Sequence, residues 1–542
     1  MQTRRPGLYA TSLVRAADVA PLRSDVAGFV GRARRGPLGA AVRIETWRDF
    51  ERIYGGLDSA SHLGFAIRGF FENGGAAAHV VRVSRVVPGV RGAPSVARQE
   101  TAVGVQSAAP FVGAIGVRAA TPGAWANGMR ATFLYRRALG GSGAVPPTLQ
   151  IRVFPPGERE ELIGPIPLDL RLLAEEPGDP DIDPLPRAVA NRSQLIRVSA
   201  VSSDLARGIG IPPGRRVEWR VRLESGGDAV ATLADYRDAL GVLCELPEPA
   251  LLAFPDVGLD LSQSEATELV RDAIQRSELL KDRLVLAEVP AAGNAFAHPP
   301  LDAEQTAIVA RSYRADAMPG GGRAAAFYHP WLRVRDPLGG TAAPLRDIPP
   351  CGHVAGLISR SDRERGASHT PANLPLFEAV DASRAFSERD EVDLGDAGVN
   401  LIRCFRGEGL KVWGGATLAR GAEAEFRESR FLAHRRLIHR LVRAIRRVAE
   451  PLVFDNNGPE LWLAIYRGIN SVLFEAFQHG ALKGNRPEEG YRIRCDAETN
   501  PPELIDLGRV HCEIEIAPAS PMEFILLAIA LDRDGRLEVF ES

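Results

Sequence analysis

Ala250-Leu-Leu-Ala-Phe-Pro-Asp256 and Arg283-Leu-Val-Leu-Ala-Glu288 are two short apolar runs, each closing on an acidic residue, with a segment of different period between them. The runs read as buried strands. Between them, residues 264–281 repeat their apolar positions every three or four residues, the signature of an amphipathic helix. Downstream, residues 302–311 have a helical period and residues 324–329 form a third strand-like run. Strand, helix, strand, helix, strand predicts a parallel α/β unit, because parallel neighbours need a crossover connection.

Working outward, residues 26–30 read as a strand, and residues 46–54 as a helix with Thr46 as its N-cap. Residues 62–73 read as a helix stopped by Gly74-Gly75, and residues 78–83 as a strand. Residues 84–110 read as a Gly/Pro/Ala/Ser linker. A β-rich stretch follows, with strands at 115–119, 130–135, 149–154, 194–199 and 218–223. Eight prolines among acidic residues make 155–187 a solvated outer loop. Residues 337–352 read as another loop, and 399–405 and 409–413 as strands. Helices are expected at 425–449 and 459–478, and strands at 491–495, 509–516 and 524–531.

The chain has 542 residues, 66 basic against 68 acidic, for a net charge of −2. That length exceeds a single hydrophobic core and predicts three to four structural units. The charge balance argues against a nucleic-acid partner. All basic residues but Lys281, Lys411 and Lys483 are arginine, the side chain suited to planar, weakly hydrated ion pairing. Five scattered cysteines with no C-x-x-C pair argue against a disulfide framework or structural zinc, and fit a reducing compartment. The longest apolar run, residues 524–531, is far short of the roughly 20 residues that span a bilayer. Arg4 and Arg5 are followed by Pro6 and Gly7 with no apolar region, so no signal peptide is read. A soluble chain assembled in the cytosol, with no membrane insertion, is the expectation.

Chemical motifs are sparse. There is no phosphate-binding G-x-x-x-x-G-K-[ST], no H-E-x-x-H and no G-x-S-x-G. Gly140-Gly-Ser-Gly143 lies in a polar loop. His434 and His439 are five apart, the wrong spacing for two ligands on one helix face, and read as surface histidines. Asp256, His353 and Ser359 occur in the order of a hydrolase triad, but Ser359 has no glycine-flanked turn. An α/β serine hydrolase on residues 226–360 is therefore the rival reading, with the bland alternative of a polar loop and a structural histidine. No catalytic, metal or cofactor-binding residue is assigned, and no cofactor is expected.

Several motifs, taken together, resemble the contractile tail sheath proteins of myophages, R-type pyocins and phage-tail-like injection particles. They are Pro6-Gly-Leu-Tyr9, Val26-Ala-Gly-Phe-Val-Gly31, Leu63-Gly-Phe-Ala-Ile-Arg-Gly-Phe-Phe-Glu-Asn-Gly-Gly75 with Val80-Val-Arg-Val83, and Pro122-Gly-Ala-Trp-Ala-Asn-Gly128. Further along are Tyr328-His-Pro-Trp331, Pro349-Pro-Cys-Gly-His-Val-Ala-Gly356, Asp362-Arg-Glu-Arg-Gly366 and Val412-Trp-Gly-Gly-Ala-Thr-Leu418, the last with Ala416 where that family has arginine. Arg494-Cys-Asp496 and Ala517-Pro518 complete the series. The resemblance is collinear over residues 5 to 530.

It implies an α/β fold: an α+β core from both chain ends, with inserted β-rich and subtilisin-like-topology parallel α/β domains, and extended terminal β-arms. On that basis the expected domains are an arm (1–24), an amino-terminal core segment (25–84), a β-rich outer insert (105–225) and an α/β insert (226–370). A tube-facing, carboxyl-terminal core segment (371–520) and a C-terminal arm with extension (521–542) follow. The resemblance implies a structural, non-enzymatic subunit in hexameric rings stacked around an inner tube protein, with baseplate and cap proteins as further partners. It also implies arms that exchange strands between subunits, here Leu8, Tyr9 and Val14 at one end and Phe524, Ile525, Leu526 and Leu527 at the other. Arg436, Arg440, Arg443 and Arg447, spaced four, three and four on one helix, are expected to face the tube. The extra residues 530–542, with a turn at Asp534-Gly535 and a strand at 537–540, leave room for a specialised paralogue at the baseplate or cap end.

Overall fold

The structure, a computed structural model, describes residues 23–84, 98–104, 115–137, 146–168, 184–198, 214–290, 301–314, 321–341, 344–421, 429–519, 525–531 and 537–541. Its centre is an eight-stranded sheet. In spatial order the strands are Gly409–Trp413, Val399–Phe405, Ala325–His329, Leu284–Ala287, Leu251–Ala253, Val26–Gly31, Ala77–Arg82 and Ala41–Ile44. The six inner strands are parallel, and the two edge strands pair antiparallel. Five of the six inner strands are buried throughout and Val399–Phe405 over its first four residues, as expected of a parallel sheet covered on both faces.

Two apolar layers cover it. On one face Phe50 of helix Trp47–Tyr54, Phe65, Ile67 and Phe70 of helix Leu63–Glu72, and Val354, Leu357 and Ile358 of helix Cys351–Arg365 form one core. On the other face helices Leu233–Glu245, Gln263–Leu280, Ala303–Ser312 and Glu388–Asp396 bring in Tyr236, Leu240, Leu269, Ile274, Val309 and Leu394. The N-cap of the first helix is Thr46, whose hydroxyl accepts from the Asp49 N–H at 3.1 Å.

The β-rich segment forms a seven-stranded antiparallel sheet: Glu161–Pro167, Thr148–Phe154, Arg130–Arg136, Arg216–Glu224, Arg98–Gly104, Val117–Ala119 and Ile196–Val198. Its inner residues, among them Phe133, Ile151 and Trp219, make a separate core. A fourth core lies between helices Leu432–Ala449 and Pro459–Gln478 and a four-stranded sheet at the chain end.

The α/β class and the strand–helix alternation around Ala250 hold. Other expectations need correction. The eight-stranded sheet runs across the boundaries drawn at residues 226 and 370, since 26–82 supplies three strands and 251–413 the other five. The amino-terminal core segment and the α/β insert are thus one body. The stretch read as the outer loop 155–187 contains strand Glu161–Pro167 and helix Pro184–Ala190, and the linker 84–110 contains strand Arg98–Gly104. The loop at 337–352 contains strand Leu345–Ile348 and runs into helix Cys351–Arg365. Proline and acidic content masked these elements, which are held by tertiary pairing rather than local preference.

Helices Leu63–Glu72 and Cys351–Arg365 touch backbone to backbone. A Cβ on Gly352 would stand 2.1 Å from the Ala66 carbonyl oxygen, and one on Gly69 would stand 2.2 Å from the His353 ring. Replacing Gly352 by alanine therefore forces the helices apart, an overpacking cost of about 1 to 3 kcal/mol or more. Gly395, on helix Glu388–Asp396, has nothing within 4 Å of its would-be Cβ. Chemical denaturation is expected to show Gly352→Ala strongly destabilised, and Gly395→Ala unchanged or stabilised by about 0.5 to 1 kcal/mol.

Candidate functional site: an arginine helix, a sealed sheet end and a terminal strand

Helix Leu432–Ala449 begins at Phe431 and carries an apolar side, Leu437, Leu441 and Ile445, that shares a core with helix Pro459–Gln478 and the terminal sheet. Its arginines do not form one outward face. Arg436 and Arg443 are only 3% and 1% exposed, whereas Arg440 is partly exposed and Arg447 exposed. The tube-facing expectation for Arg436 and Arg443 is therefore corrected: the helix is apolar or clamped on most of its circumference, and both guanidinium groups point into the protein. His434 and His439, expected at the surface, are also buried. Burial, together with the adjacent Arg435 and Arg436, holds His439 well below the usual imidazole range, hence neutral.

What the buried arginines grip is the entrance to the parallel sheet. Arg436 binds both carboxylate oxygens of Asp362 and donates to the Ser24 carbonyl at 3.1 Å, while the Ser24 hydroxyl donates to Asp362 at 2.8 Å. Arg443 donates to the carbonyls of Arg23 at 2.8 Å, Glu248 at 2.6 Å and Pro249 at 3.2 Å. Arg446 pairs with Asp282 at 2.7 Å, and Asp282 in turn holds Arg283. Arg435 lies 3.8 Å from Glu278, which also binds Arg323 and the Ala324 N–H. These contacts fall just ahead of strands Val26–Gly31, Leu251–Ala253, Leu284–Ala287 and Ala325–His329. One helix thus secures the amino ends of four parallel strands. Burial lowers Arg443 to about 10, so it stays charged at neutral pH.

The opposite, carboxyl end of such a sheet is where ligands usually bind. Here it is filled by the protein itself. Asp256 accepts from the Arg32 N–H at 2.8 Å, the Ser61 hydroxyl at 2.9 Å and the His62 N–H at 2.5 Å. Glu288 accepts from the Cys351 N–H at 3.1 Å, and its carbonyl receives the Tyr313 hydroxyl at 2.9 Å. Burial raises Asp256 to about 6 and Glu288 to about 8. The triad-like residues are not joined: Ser359 donates to the Asp25 carbonyl at 2.8 Å from inside a helix, and His353, lowered to about 4 by burial, packs on Gly69. Among the described residues no cluster of three or more His, Cys, Asp or Glu is placed to hold a metal, and no helix is long and apolar enough to cross a membrane.

At the chain end, Ile525–Leu531 pairs antiparallel with Val510–Ile516 through seven registered pairs, Val510 opposite Leu531 to Ile516 opposite Ile525. Its other edge pairs with Leu537–Glu541 through five. Ile525, Leu526 and Leu527 of the expected arm are in this strand of the same chain. Leu8, Tyr9, Val14 and Phe524, and the turn at Asp534-Gly535, lie outside the described residues. A cleft of about 990 Å³ between helices Leu432–Ala449 and Pro459–Gln478 is lined by Arg440, Arg447, Leu441, Ala444, Glu475 and Val472. Sequence reasoning missed the gripped partners, Asp282, Glu278 and the carbonyls of 23–24 and 248–249. The available signal was a charged residue set just before each apolar run: Asp25, Arg283 and Arg323.

Two outcomes follow from these buried charges. Arg436→Leu or Asp362→Leu alone is expected to cost about 3 to 5 kcal/mol, with much of it recovered in the double variant, because the single changes strand a buried charge; a double-mutant denaturation cycle reads this. Glu288, with its folded pKa raised to about 8, favours the protonated folded state. Stability is therefore lost as pH rises from the unfolded glutamate value through about 8. Between pH 6.5 and 9 the denaturation midpoint of the wild type is expected to fall, and that of Glu288→Gln to stay level.

No protein-family profile matches the chain. A tail sheath protein of Vibrio phage KVP40 is 28% identical over 189 residues, 34% of this chain and about a quarter (26%) of that protein's length. Likeness to solved structures runs the whole length. The sheath tail protein of Listeria innocua superposes with a TM-score of 0.61 at 12% identity, covering 94% of this chain and 95% of that one. The helical sheath of the anti-feeding prophage in its contracted state gives 0.54 at 19% identity over 97% and 98%. The sheath complex of the extracellular contractile injection system PVC, also contracted, gives 0.55 at 17% over 96% of each chain. The chain has the fold of the contractile tail sheath proteins.

Proposed function

We propose that this protein is a structural sheath subunit of a contractile phage-tail-like injection system, polymerising as stacked hexameric rings around an inner tube and contracting to drive the tube through a target envelope. The observation that carries the reading is the whole-length likeness to chains solved as sheath assemblies, with no unmatched domain left over for another activity. The filled carboxyl end of the sheet supports a non-enzymatic role, because the groups that could do chemistry are spent on holding loops together. Assembly takes place in the cytosol, on the tube, with baseplate and cap proteins at the ends of the stack.

Strand exchange between subunits uses the terminal sheet, with Ile525–Leu531 passing to a neighbour's Val510–Ile516 through the same ladder it makes here in its own chain. The inner-tube surface uses the exposed members of the arginine series, Arg440 and Arg447. Beside them, helix Pro459–Gln478 leaves Leu463, Tyr466 and Phe474 uncovered. Rim charges of this kind are individually weak, which suits contacts that contraction must break. A specialised subunit at the baseplate or cap end is the second reading, favoured by the added strand Leu537–Glu541 that closes the outer edge of the arm strand.

Electron microscopy of the purified protein is expected to show rings, tubes or polysheaths. A stable monomer that reacts with a serine-directed probe would overturn the proposal in favour of a hydrolase. The Arg440→Glu/Arg447→Glu double variant is expected to fold normally, since neither side chain is buried, yet to lose co-assembly with tube protein by tenfold or more. Unchanged co-assembly removes these residues from the tube surface.

A further inference from the structure

The five cysteines are distributed without any sequence sign of pairing, yet the fold brings two of them face to face. Strand Tyr491–Arg494 runs antiparallel to Val510–Ile516, with Arg494 opposite Glu513 as the last registered pair. One step further along the ladder sets Cys495 opposite Cys512. Directly opposed residues in antiparallel strands have Cα atoms about 4.5 to 5.5 Å apart, inside the window that a disulfide spans. Each thiol is the first cause of the other's shifted acidity, as neighbouring sulfurs are. Both lie on the sheet face that carries Tyr491, Ile493, Ile514 and Ile516, so they point the same way.

The surroundings hold the pair in place. Asn500 receives the His511 N–H at 2.6 Å and donates to the His511 carbonyl at 2.9 Å, one residue from Cys512. The same side chain donates to the Asp496 carbonyl at 3.0 Å, one residue from Cys495. The amide therefore ties together the two backbones that flank the thiols. Their environments differ. Cys495 is half-buried, and the neighbouring Cys512 favours its thiolate; Cys512 is buried and its thiol is pushed up. An accessible nucleophilic sulfur beside a shielded second one is the arrangement for stepwise oxidation.

We propose that Cys495 and Cys512 are a redox-modifiable dithiol that closes to a cross-strand disulfide in the presence of a small-molecule disulfide oxidant. The Cys495 thiolate attacks the oxidant's S–S bond, forming a mixed disulfide and releasing one small thiol. The Cys512 thiol gives its proton to solvent, and its sulfur attacks Cys495 Sγ, releasing the second small thiol. Two protein thiols lose two electrons, and one small disulfide gains them. The staple lies on the strand whose other edge carries Ile525–Leu531, with Cys512 opposite Ile529. Oxidation thus stiffens the strand on which the terminal strand docks. The inference stands on the geometry of this sheet and holds whether or not the sheath reading does.

The test uses the full-length protein, reduced and then incubated with oxidised glutathione. The expected result is a loss of titratable thiols from five to three after denaturation, with a Cys495–Cys512 linked peptide found by mass spectrometry without reduction. The melting temperature should rise, fall back on adding dithiothreitol, and show no such response in Cys512→Ser. A glutathione adduct that persists on Cys495 overturns the proposal. So does modification of the exposed Cys404 while both members of the pair remain thiols.

Discussion

Arginine held against carbonyl and carboxylate oxygens at the amino end of a parallel sheet is the constraint on which this protein's architecture rests. A parallel strand enters its sheet from a crossover, and the backbone groups just before it have no ladder partner. Arg436, Arg443 and Arg446 on one helix answer those groups ahead of three strands, and Arg435 with Glu278 answers them ahead of a fourth. The guanidinium spreads five N–H donors over a rigid planar fork, so one stem can reach oxygens on separate segments better than lysine's compact ammonium. The arginine-rich composition, so even in its net charge, thus has a buried task besides its surface one.

The same helix presents its other side to the terminal sheet, through Leu437, Leu441 and Ile445. It is therefore the mechanical link between the large sheet and the small one. Residues 23 and 24 are clamped on the same helix, through Arg443 and Arg436, the latter also by way of Asp362. The point where the amino-terminal segment meets the folded body and the sheet that holds the carboxyl-terminal strand are consequently fixed to one rigid element.

Much of this was legible in the sequence. The runs around Ala250 and Arg283 announced buried parallel strands because parallel strands are apolar on both faces. The helices at Trp47, Leu63, Gln263 and Ala303 announced themselves by period, the first also by its Thr46 cap and the second by the Gly74-Gly75 stop. What escaped were features set by contacts distant in the chain. Strand Glu161–Pro167 contains two prolines and survives as an edge strand. Helix Cys351–Arg365 opens with glycines that read as a loop, but whose purpose is contact with Ala66 and Phe70. The inward turn of Arg436 and Arg443 could not be told from the outward turn of Arg440 and Arg447, since spacing gives a helix face but not what that face meets. The opposition of Cys495 and Cys512 needed a register, which no spacing supplies.

The outermost strand, Leu537–Glu541, changes how the carboxyl terminus can come loose. Ile525–Leu531 is bonded along both edges, with seven registered partners on one side and five on the other. Leu537–Glu541 is bonded to no other described strand, so the two can leave Val510–Ile516 as one hairpin that keeps its own five-pair ladder. Departure of this segment then costs the seven-pair ladder alone, and the strand leaves with its other edge already satisfied. The chain end is thus a two-stranded unit that can dock on a strand edge, or leave it, as a whole.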